Sequence, residues 1–92
     1  MPQKYPPLKR REVLVILKAL GFRCTHSRGS HDYWQRSAED GGNTRTFTVT
    51  VDRYPDFSDR ILVYMIEQSG VAREEFYGAT PKTARKIGLR SR

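Results

Sequence analysis

Between Arg45 and Val51 the chain alternates without a break: Phe47, Val49 and Val51 fall on one side, Thr46, Thr48 and Thr50 on the other. That period of two belongs to a β-strand with one dry and one wet face. Such a strand commits the chain to a sheet, to amphipathic elements that cover one face, and to a second face left open to water, as antiparallel sheets allow. With 92 residues, 37% of them apolar, there is material for one domain with an economical core.

The cover comes from two helices. Val13, Ile16, Leu17 and Leu20 recur at helical spacing, Pro6-Pro7 limits the segment on one side, and Gly21 followed by Phe22 reads as its left-handed end with a hydrophobic contact. The first helix is therefore expected over residues 8–20. Ile61, Leu62, Met65 and Ile66 stripe a second helix, with Ser58 as N-cap, Asp59 in the first turn and Gly70-Val71 at its end. A short turn with Phe76 packed inward is expected next.

Between the helices lie three strand-like runs. Residues 22–27 form the first, Arg28-Gly29-Ser30 is a turn signal, and residues 31–36 form the second, with Tyr33 and Trp34 as good strand formers. Residues 37–44, rich in Gly, Asn, Asp and Ser, read as a loose hairpin loop before the third strand. The result is an α+β chain of order α-β-β-β-α, a three-stranded antiparallel meander covered on one face by two helices. Phe22, Cys24, Phe47, Val49 and Val51 fall on the covered face, with Trp34 as a core anchor. Arg23, Thr25, His31, Tyr33, Gln35 and the three threonines fall on the open one. Strict alternation puts His26 on the covered side and Cys24 in the core. Residues 1–78 are read as the domain and 79–92 as a basic tail or short helix opened by Thr80-Pro81.

Seventeen Lys and Arg against ten Asp and Glu give +7, and arginine outnumbers lysine. A polyanionic partner fits that balance, because the guanidinium fork matches phosphate. No stretch has the apolar length to span a bilayer and no signal-peptide pattern is visible, so a cytoplasmic place is expected. One cysteine allows no internal disulfide. Two histidines, one cysteine and scattered carboxylates show no metal-ligand spacing, and phosphate-loop and dinucleotide fingerprints are absent, so no cofactor is expected.

An amphipathic helix ending in Gly21-Phe22, a strand, Arg28-Gly29-Ser30-His31, the aromatic pair Tyr33-Trp34, and a second helix followed by Gly70-Val71-Ala72-Arg73-Glu74-Glu75-Phe76 together resemble the HicA toxin family, over about residues 8–76. The resemblance implies a fold similar to double-stranded-RNA-binding domains and a metal-independent endoribonuclease that cleaves mRNA. It also implies a toxin neutralised by a small HicB-like antitoxin protein, with His31 carrying activity. After the third strand, where the family often has a histidine-bearing segment, this chain has Val51-Asp52-Arg53-Tyr54-Pro55.

Metal-free RNA cleavage uses the 2′-hydroxyl as nucleophile and needs a proton acceptor, a proton donor and cations near the phosphate. His31 suits either proton task, since an unperturbed imidazole titrates at about 6.5. Arg28 and Arg23 are candidates for holding phosphate, the backbone N–H groups of Gly29 and Ser30 for adding donors, Ser30 for orienting the imidazole, and Tyr33 for stacking on a base. On residue types alone, Gly29-Ser30 reads first as an ordinary turn and His31 as a solvated side chain, while Arg10 and Arg11 fit phosphate contact and a solvated helix face equally well. An RNA-binding domain without cleavage is the alternative reading.

Overall fold

The stripe Val13, Ile16 and Leu17 is fully buried, and it lies on a helix, α1 (Arg10–Ala19). The helix closes as the sequence indicates: Gly21 has φ +93°, Phe22 N–H donates to Leu17 O at 2.8 Å, and Gly21 N–H donates to Lys18 O at 3.1 Å. This paired closure satisfies two carbonyls that a helix end otherwise leaves open. Its beginning differs from expectation. In the computed structural model, which describes residues 4–89, Leu8–Lys9 is a short strand, β1, paired antiparallel with β5 (Asp56–Phe57). Leu8 and Phe57 are both buried, so burial against a distant residue overrides the local helical preference of Leu8 and Lys9. Glu12 then secures the helix start by accepting the Lys9 N–H at 2.9 Å.

The sheet is a meander of β2 (Arg23–Arg28), β3 (His31–Asp40) and β4 (Asn43–Asp52), in that spatial order. The loop expected over residues 37–44 is instead a two-residue turn. Gly41 and Gly42, at φ +58° and +87°, join strands that pair as far as Asp40 with Asn43. Positive φ at both positions is the hairpin turn whose twist matches that of the strands. The polar residues around it look like a loop because this end of the hairpin overruns the helices, leaving residues 43–46 exposed.

The covered face carries Trp34, Val49 and Val51, which pack with α1 and with Leu62, Met65 and Ile66 of α2 (Asp59–Ser69). Each such side chain contributes about 1.5–3 kcal/mol by leaving water. Gly70 ends α2 at φ +77°. β4 is an edge strand, and Gln68 of α2 accepts the Thr50 N–H at 3.2 Å, so α2 covers part of that edge. β2, the other edge, is exposed along its whole length. Cys24 is therefore exposed rather than buried: it points to the covered side, but the helices do not reach that far.

Two short helices complete the fold, α3 (Arg73–Tyr77) and α4 (Pro81–Lys86). Phe76 and Tyr77 are fully buried, and the Tyr77 hydroxyl donates to Pro6 O at 2.8 Å. Burial pushes the Tyr77 hydroxyl's pKa well above its ordinary value. Thr80 caps α4 by accepting the Thr83 N–H at 3.2 Å, and Lys86 reaches back to Pro7 O and to Glu12. Of the basic residues at the C-terminal end, Arg90 and Arg92 lie outside the described residues.

Candidate nucleic-acid interface

Arg28 and His31 face each other across a two-residue turn. Gly29 takes φ +61° while Ser30 keeps a negative φ, the hairpin pattern with glycine at the first central position. Nothing lies within 4 Å of where a Gly29 Cβ would sit, so the glycine answers the backbone angle and not crowding. Ser30 O accepts the Arg53 N–H at 3.0 Å, which ties the turn to the chain leaving β4.

Beneath the turn, on the covered side, Asp32 is buried and gathers three donors. Arg10 Nη2 and Ser27 Oγ are each at 2.5 Å, and Arg53 Nη2 is at 3.1 Å. The Ser27 hydrogen bond, with the Arg53 bond and the charges of both arginines, lowers the Asp32 pKa to about 2 despite burial. The cluster joins α1, β2, β3 and the segment after β4 at one point. Arg10, considered from sequence for phosphate contact, is committed to this internal pair.

On the opposite, open side the sheet presents rows of paired residues. The first row is Arg28, His31, Asp52 and the next is His26, Tyr33, Thr50. The third is Arg23, Gln35, Thr48, in which Gln35 Nε2 donates to Thr48 Oγ1 at 3.1 Å. All five site residues expected from sequence besides Gly29 thus lie on this face or at its turn, with Tyr33 half-buried and the others exposed. Ser30 does not orient the imidazole. That partner is Asp52, whose Oδ1 accepts from His31 Nδ1. A carboxylate only accepts, so Nδ1 carries the proton and Nε2 is left for other work.

Asp52 belongs to no motif in the sequence, and its one signal there is its spacing. It extends the open-face series Thr46, Thr48, Thr50 by one step of two. His26 lies on the open face, contrary to strict alternation, because the register shifts between Cys24 and His26. Thr25 and His26 together oppose Tyr33, and this β-bulge turns every later β2 side chain over. The His26 and Tyr33 rings stack at 4.5 Å with 17° between planes. Among the described residues no group of three His, Cys, Asp or Glu side chains is placed to hold a metal ion, and no helix is long and apolar enough to cross a membrane.

A helix, a three-stranded antiparallel meander and a second helix on one face define an α+β domain like those that bind double-stranded RNA. The family model described as "HicA toxin of bacterial toxin-antitoxin" matches residues 10–71, more than half of the chain. The chain belongs to the HicA toxin family and has the role of toxin in a toxin–antitoxin pairing. Comparison with curated proteins and with solved structures gives no significant match in either.

Proposed function

We propose that this toxin is a metal-independent endoribonuclease that cleaves mRNA in the cytoplasm, with His31 at its centre. The observation that carries the reading is the row Arg28–His31–Asp52. It puts an imidazole, held by a carboxylate and with Nε2 uncommitted, beside a guanidinium on an open, polar face. A base oriented by a third group is the general arrangement for activating an oxygen nucleophile. His31 Nε2 takes the 2′-hydroxyl proton, and Arg28, with the N–H groups of Gly29 and Ser30, neutralises charge gathering on the phosphate. Arg23 and Tyr33 extend the RNA track along the sheet by charge and by stacking. The antitoxin, a small HicB-like protein, neutralises the toxin by covering His31 and this basic face.

Induced expression in a bacterial host, with and without His31→Ala, tests the reading. Growth arrest with mRNA fragmentation for the wild type, and normal growth with intact mRNA for the variant, is the expected pair. Equal harmlessness of both proteins overturns it. Arrest by both, without fragmentation, leaves a binding domain that blocks RNA without cutting it.

A further inference from the structure

One imidazole does one proton transfer in a given step, and cleavage of an RNA phosphodiester needs two. The bulge at Thr25 supplies a second imidazole on the same face. His26 stands opposite Tyr33, and His31 is two residues from Tyr33 along β3. The backbones of such diagonal neighbours in an antiparallel pair are about 7–8 Å apart, which lets two side chains on one face reach a single phosphodiester. The tautomer of His26 follows from its neighbours. Thr25 Oγ1 donates its one proton to Tyr33 O at 3.3 Å, so toward His26 Nδ1, at 3.2 Å, it acts as acceptor. His26 Nδ1 is then the donor, and Nε2 of this exposed residue has no hydrogen-bond partner among the described residues, as in His31. Stacking on Tyr33 fixes the ring plane. The charged and titratable groups on the open face around it are Arg23 and Arg28 on its own strand, Tyr33 and His31 on β3, and Asp52 on β4.

We propose that His26 is the second proton carrier of the site, the general acid that protonates the departing 5′-oxygen. The proposal rests on the RNA-cleaving reading of His31. The 2′-oxygen attacks phosphorus and its proton passes to His31 Nε2. The P–O5′ bond breaks, and His26, which enters the step as the imidazolium with both nitrogens protonated, passes its Nε2 proton to O5′ and is left as the neutral Nδ1–H ring. The products are a 2′,3′-cyclic phosphate and a 5′-hydroxyl, and proton exchange with water restores both rings.

The test uses an oligonucleotide with one cleavable ribonucleotide linkage, made with either oxygen or sulfur at the 5′-bridging position. A thiolate leaves without being protonated. His26→Gln is expected to slow cleavage of the oxygen substrate by roughly 10²-fold or more and to recover to within a few-fold of wild type on the sulfur substrate. His31→Gln is expected to stay slow on both. Thr25→Val keeps the imidazole but removes the hydroxyl that sets its tautomer, and is expected to slow the oxygen substrate alone. This second variant keeps the question open to experiment if His26→Gln is poorly folded. Wild-type speed for His26→Gln on the oxygen substrate overturns the proposal. So does an equal loss on both substrates, which assigns His26 to RNA binding or folding. Failure of the wild type to cut either substrate removes the RNA-cleaving reading itself, a result distinct from both.

Discussion

Asp52 closes β4 directly opposite His31 on the neighbouring strand, and its carboxylate accepts a hydrogen bond from the Nδ1–H of that imidazole. The pairing gives the single catalytic histidine expected from the motif a fixed tautomer and a fixed direction. Asp52→Ala is expected to reduce kcat for RNA cleavage by roughly 10²-fold with little change in KM, because it removes orientation and not binding. Single-turnover and steady-state kinetics on one RNA substrate check the split. A change confined to KM assigns Asp52 to substrate contact.

Arg28 stands in the same row and makes no ion pair among the described residues. Arg28→Ala is expected to weaken RNA binding at every sequence and to lower the slope of log affinity against log salt by about one phosphate's worth. Titrations of a catalytically silent His31→Ala background at several salt concentrations measure it. An unchanged slope places the phosphate elsewhere on the face.

The buried Asp32 is a structural counterpart to Asp52. Its folded-state pKa, about 2, lies below the ordinary value of 3.8. A depressed carboxyl stabilises the fold in full above the unfolded value, and that stability is lost as pH falls from about 4 toward 2. Asp32→Asn is expected to cost about 2 kcal/mol at neutral pH, and to flatten the acid limb of the stability curve. Urea unfolding from pH 2 to 7 checks both.

Gly70 combines φ +77° with a Phe47 ring whose Cε1 and Cδ1 occupy the space a Cβ would need. Gly70→Ala is expected to destabilise by about 1–3 kcal/mol through backbone strain and overpacking. Thermal melts read this directly. Gly29→Ala, strained but uncrowded, is expected to cost less.

The parts of this fold legible in the sequence are those decided locally. The Val13–Ile16–Leu17 stripe, the Gly21-Phe22 closure, the alternation of β4 and the Gly29-Ser30 turn each follow from a few adjacent residues, and the order of elements follows from them. What escaped depends on partners far away or on broken periodicity. Leu8 is a strand residue only because Phe57 lies beside it. Cys24 is exposed because the helices stop short of β2. The long β3–β4 hairpin has polar ends that resemble a loop. The site divides the same way. His31 and Arg28 are marked by their turn, whereas Asp52 needs the cross-strand register and His26 needs the bulge at Thr25, neither of which alternation reveals.

The proposed function stands on His31 cutting RNA without a metal. Its most direct measurement is cleavage of a labelled RNA in the presence of EDTA by the wild-type protein and by His31→Ala, with RNA affinity measured for both. On that reading the wild type cuts and leaves 2′,3′-cyclic phosphate ends, whereas His31→Ala binds RNA with similar affinity yet cuts at least about 10²-fold more slowly. RNA that the wild type binds but leaves intact, or cuts no faster than His31→Ala does, contradicts it.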